Sequence, residues 1–110
     1  MFTIPKNTGS VESRVKTDYG TLYFTKFDDG RFEYYGLLTI PTKTSFVNIK
    51  YPVKPIDVIG VATNYYANIN TALVSMSCSV DNARLDIVMQ DGSTPTYHTA
   101  VNILIKGKWK

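Results

Sequence analysis

Side chains suited to covalent or metal chemistry are scarce in this 110-residue sequence. It has one cysteine, Cys78, and one histidine, His98. A lone thiol forms no internal disulfide and no cysteine-based metal site. A Cys–His dyad or a His-rich zinc site has almost no material to draw on. Ser93, His98 and Asp91 contain the types of a hydrolytic triad, but all three fall within eight residues. Nothing brackets Ser93 like the strained turn that exposes a nucleophile. Asp28 and Asp29 are paired carboxylates in a turn, where Asp serves turn geometry. Asp91-Gly92-Ser93 resembles a fragment of a cation loop without the further carboxylates that calcium needs. There is no Gly-rich phosphate loop. Cys78 falls in register with Met76 and Val80 and reads as a small buried hydrophobe. The expectation is a protein that is not an enzyme and uses no metal and no cofactor.

Non-covalent binding has more to work with. Eight Tyr, five Phe and one Trp make 13% of the chain aromatic. Tyrosine has an apolar body and a polar tip, which suits strands, interfaces and sugar-stacking surfaces. A saccharide offers apolar ring faces edged with hydroxyls. Its site therefore needs an aromatic plate flanked by amides, carboxylates or hydroxyls. Two stretches have that chemistry. One runs from Asn64 to Asn70 and carries Asn64, Tyr65, Tyr66, Asn68 and Asn70. The other runs from Asp91 to His98 and carries Asp91, Ser93, Thr94, Thr96, Tyr97 and His98. The competing reading is that these Asn residues make turns and these Tyr residues pack on a sheet. Nucleic acid is not an expected partner. Twelve basic against nine acidic residues give only +3, and the basic residues do not line up on one face. The cluster Lys106-Gly107-Lys108-Trp109-Lys110 reads as a core-capping Trp among solvated lysines. Membrane insertion is not expected either, since no apolar run approaches the ~20 residues of a span. Met1 to Lys6 does not read as a secretory leader.

These residues must be held by strands. Ser10–Thr17 alternates as an edge strand does. Thr21–Phe27 and Arg31–Ile40 flank Asp28-Asp29-Gly30. Asp-Gly between two β-rich runs is the strongest short-range hairpin signal, because the turn needs positive φ. Phe32, Tyr34, Leu38 and Ile40 share one face of the second arm. Further strands are expected at Ser45–Tyr51, Asp57–Tyr66, Thr71–Val80, Arg84–Gln90 and Tyr97–Lys106. Leu85, Ile87 and Met89 point inward on one of them, and Val101, Ile103 and Ile105 on another. Pro52 and Pro55 bracket an extended connector. No window has a helical period. The spacing predicts an all-β fold, an antiparallel β-sandwich of seven to eight short strands. Residues 1–9 read as an N-terminal arm or linker and residues 10–110 as the sandwich, a single domain at this length.

Several strands are apolar on both faces. Leu22 and Phe24 oppose Tyr23 and Phe27, Tyr34 and Leu38 oppose Tyr35 and Leu37, and Val58 opposes Ile59 and Val61. One face of each sheet in a small sandwich should be polar. A second burial partner is implied, most simply another copy of the chain.

The run Lys26-Phe27-Asp28-Asp29-Gly30-Arg31-Phe32-Glu33-Tyr34-Tyr35-Gly36 resembles a pattern in carboxy-terminal domains of bacteriophage tail-fibre and minor tail proteins. That pattern is Lys, aromatic, Ser or Asp, Asp or Asn, Gly, two variable residues, Glu, two residues, Gly. An aromatic-Pro pair follows, matched by Tyr51-Pro52, and then a second Pro before a Val-rich strand, matched by Pro55-Ile56-Asp57-Val58. The closing Gly and Trp are matched by Gly107-Lys108-Trp109. Phe27 departs from the Trp often found in the family. The resemblance covers about residues 20 to 110. It implies a homotrimeric head domain at the tip of a tail fibre on the virion. Such a domain adsorbs to a glycan or protein of the host cell surface. The alternatives are a purely structural module that trimerises and caps a fibre or virion, and a carbohydrate-binding module. Tyr23, Tyr35 and Leu37 are the candidates for the interface between copies.

Overall fold

Alternating apolar and polar residues give strands wherever the sequence carries that period. The computed structural model describes residues 9–65, 72–89 and 91–110. Among these, eight strands form: β1 (Ser10–Thr17), β2 (Gly20–Phe27), β3 (Arg31–Ile40), β4 (Phe46–Ile49), β5 (Asp57–Asn64), β6 (Ala72–Cys78), β7 (Ala83–Met89) and β8 (Thr99–Lys108). All pairings are antiparallel. One sheet has the order β1-β2-β3-β8-β5 and the other β4-β7-β6. The expected β-sandwich is present. Residues 1–8 of the expected arm lie outside the described residues.

The Asp28-Asp29-Gly30 hairpin forms as a three-residue turn. The Gly30 N–H donates to the Phe27 carbonyl (3.1 Å), and Gly30 alone in the turn has positive φ, +99°. That is the bulged variety of hairpin, with glycine at the left-handed position. Asp29 braces the turn through the Arg31 N–H and guanidinium. These bonds, the backbone one foremost, hold the Asp29 carboxyl below its ordinary value.

The core lies between the sheets. Leu22, Phe32, Tyr34, Leu38 and Ile40 meet Leu85, Ile87, Val101 and Ile105, all essentially inaccessible. The inward faces of β3, β7 and β8 are the expected ones. β8 differs in extent. It begins at Thr99 and runs to Lys108, two residues later than its sequence suggests at each end. Gly107 and Lys108 still pair on both sides, with Phe32 and Arg31 of β3 and with Val58 and Asp57 of β5. Two-sided pairing carries the strand past its apolar run. Cys78 is half-buried rather than buried. It packs against the core where β5 passes β6, beside Gly60.

Trp109 secures the end of β8. Its indole N–H is placed 3.2 Å from the carbonyls of both Phe27 and Arg31, and its backbone N–H donates to Gly30 (2.7 Å). The Lys26 ammonium lies 4.0 Å from the ring centroid and that of Lys110 4.8 Å. The lysines therefore cover the indole as well as meeting solvent.

The two ends of the sandwich differ. Connections β1–β2, β3–β4, β5–β6 and β7–β8 leave from one end, and β2–β3, β4–β5 and β6–β7 from the other. Register fixes this arrangement. Asn64 pairs with Val101 and Ala72 with Met89, so Asn64, Tyr65 and the segment from Asp91 lie at the first end.

Candidate binding site and exposed sheet face

Asn64 closes β5 and is half-buried, and its side-chain amide donates to the Ala72 carbonyl (2.9 Å). Tyr65 follows, 58% exposed, with its backbone N–H on the Ala100 carbonyl. Tyr66, Asn68 and Asn70 lie outside the described residues. In the second stretch Asp91, Ser93, Thr94, Thr96 and His98 are exposed. Tyr97 is half-buried, with its hydroxyl on the Met89 sulfur (3.3 Å).

The segment from Asp91 folds back on the end of β7. The Gly92 N–H donates to Met89, and the Ser93 carbonyl accepts from the Met89 N–H (2.9 Å). Asp91 Oδ1 accepts from both the Ser93 hydroxyl (2.6 Å) and the Ser93 N–H (2.9 Å). Those bonds, the hydroxyl's foremost, hold the Asp91 carboxyl below its ordinary value. The fold-back sets Ser93, followed by Thr94, beside β7 on the edge where Ser45 also accepts a bond from the strand, at the Ile87 N–H. There they border a cleft of about 330 Å³ with Arg84, Asp86 and Val88.

Sequence reading missed Arg84, Asp86 and their neighbour Phe46. Arg84 and Asp86 alternate outward on β7, and Arg84 Nε lies 3.0 Å from Asp86 Oδ1. Phe46 of β4 pairs with Asp86 in the ladder, and the Arg84 guanidinium lies 4.3 Å from its ring centroid. The only signal in the sequence was the Arg-x-Asp alternation itself. Its meeting with residues 45 and 93 depends on the fold.

The outer face of the five-stranded sheet has a different character. Arg14, Tyr23, Tyr35, Leu104 and Val61 stand side by side across all five strands. Tyr23 and Tyr35 are tilted against each other at 5.7 Å. Leu37 and Ile59 flank the row. Tyr23, Tyr35, Leu37, Ile59 and Val61 are between 41% and 69% exposed. The rows on either side also carry the Lys106–Glu33 ion pair and Asn102.

The molecule is thus an antiparallel two-sheet sandwich with connections at both ends and a row of exposed aromatic and aliphatic side chains on one sheet. Its backbone is similar to the solved structure of an N-truncated R2-type pyocin tail fibre, with a TM-score of 0.60. The match covers 91% of this chain at 14% identity and 38% of the tail-fibre chain. The chain therefore spans about two-fifths of that neighbour. The resemblance to a tail-fibre domain is one of fold. No family model matches the chain, and no curated protein matches it.

Proposed function

We propose that this chain is the tip domain of a phage tail fibre, and that it adsorbs to the host cell surface by non-covalent saccharide binding. The fold likeness to a pyocin tail fibre carries this reading. Register supports it by bringing Asn64, Tyr65 and the segment from Asp91 to one end of the sandwich. Loops at the end of a rigid scaffold are where binding residues vary without cost to the sheets. The role is binding rather than catalysis, and the place is the virion.

The domain works as a homotrimer. The support is the row of Tyr23, Tyr35, Leu104 and Val61, a row of apolar side chains where a solvated sheet face alternates to polar. That same row favours a second reading, a structural module that trimerises and caps a fibre without touching a receptor. A screen of the protein against bacterial surface glycans separates the two. The Tyr65→Ala/Tyr66→Ala double variant is the companion sample. Loss of glycan binding in a variant that keeps its oligomeric mass supports the loop site. Unchanged binding by a folded double variant removes Tyr65 and Tyr66 from it.

A further inference from the structure

The cleft on the outer face of the small sheet has a chemistry of its own. Its volume of about 330 Å³ falls at the lower end of small-molecule sites. Asp86 has one carboxylate oxygen on Arg84 Nε and a second to offer as an acceptor. Arg84 keeps its two terminal amino groups as donors. The Arg84 guanidinium also lies 4.3 Å from the centroid of the Phe46 ring, beside the cleft. Ser45, Ser93 and Thr94 add hydroxyls that both donate and accept, and Val88 gives an apolar patch. Gly92 sits at φ +85° with open space around it.

An acceptor and a planar donor side by side match two neighbouring hydroxyls of a sugar ring. One hydroxyl donates to Asp86 while the next accepts from Arg84. The two charges cancel within the pair, so the cleft has no net attraction for an anion. We propose that this cleft binds a neutral sugar ring through a vicinal diol, with Asp86 and Arg84 as the reading pair and Val88 under the ring. The inference rests on the saccharide reading above and names a site for it that Tyr65 does not touch.

Titrating the 110-residue chain with single monosaccharides tests this directly. The panel holds neutral hexoses and 6-deoxyhexoses beside uronic and sialic acids, read by calorimetry and by backbone amide shifts. A neutral sugar should bind and shift the amides of Asp86, Val88, Gly92 and Ser93. Asp86→Asn and Arg84→Gln should each weaken it about tenfold or more, the worth of a hydrogen bond to a charged group. Both sites are surface positions, so the fold survives. Affinity should be nearly independent of salt. Sugar binding that shifts other amides and survives both substitutions would overturn this cleft and leave the saccharide reading standing. Preference for an acidic sugar with steep salt dependence would overturn the neutral diol. No binding of any sugar by the wild type would overturn the cleft and the saccharide reading together.

Discussion

Tyr51 shows how one half-buried tyrosine ties the connector after β4 to the rest of the fold. Its hydroxyl donates to the Ser79 carbonyl (2.8 Å), joining two connections at the same end of the sandwich. Burial first, and Cys78 beside it second, push its phenol well above the ordinary value of 10.0. The unfolded chain ionises this Tyr near pH 10 while the folded chain keeps the proton. Stability from this group is therefore intact below pH 10 and is lost as pH rises above it. Burial raises the Tyr34 phenol in the same sense. Denaturant unfolding at pH 8 and pH 11 should show the wild type losing more stability between the two than Tyr51→Phe, which cannot ionise. At pH 8 the variant should be weaker by about 1 kcal/mol for the lost hydrogen bond. Equal losses in the two proteins would contradict the linkage. Residue types alone gave no sign of this role, because Tyr51 and Ser79 are 28 positions apart.

The β2–β3 hairpin was the most legible element, since Asp-Gly between β-rich runs is a local signal and its geometry is local too. Gly30 sits at φ +99°, and a Cβ there would lie 2.7 Å from the Lys110 carbonyl. Gly30→Val should cost about 1–2 kcal/mol from the left-handed backbone alone, read as a fall in melting temperature of roughly 5 °C or more. An unchanged melting temperature would contradict the hairpin's geometry. Strand faces were legible for the same reason: period two decides which side of Phe32, Leu85 or Val101 is buried. Pairing between distant strands was not. β8 inserts between β3 and β5 and gains partners on both edges, which is why it outruns its own apolar pattern. The Arg84 cleft was hidden likewise. Its wall at Ser45 belongs to the loop before β4 and its rim at Ser93 to a loop that folds back, and only tertiary packing joins them.

At the scale of the whole molecule, the proposed assembly turns on the outer face of the five-stranded sheet, where Tyr23, Tyr35 and Leu37 are exposed. Tyr35 and Leu37 are 41% and 43% exposed, so removing them takes nothing from the core. Light scattering should give three times the 12.3 kDa of one chain. A Tyr35→Glu/Leu37→Glu variant should give the single-chain mass with its β structure intact, because desolvating two carboxylates in an apolar contact is strongly unfavourable. A monomeric wild type at micromolar concentration would contradict assembly through this face. The polar end was legible as chemistry in Tyr65, Ser93 and their neighbours, while its gathering at one end came from register. Adsorption by that end is the claim on which the functional reading turns. It is tested most directly by presenting the wild-type protein to an array of bacterial surface glycans. Selective, saturable binding to a group of related saccharides is the expected result. An oligomeric, folded protein that binds none of them would contradict it and leave the capping module in its place.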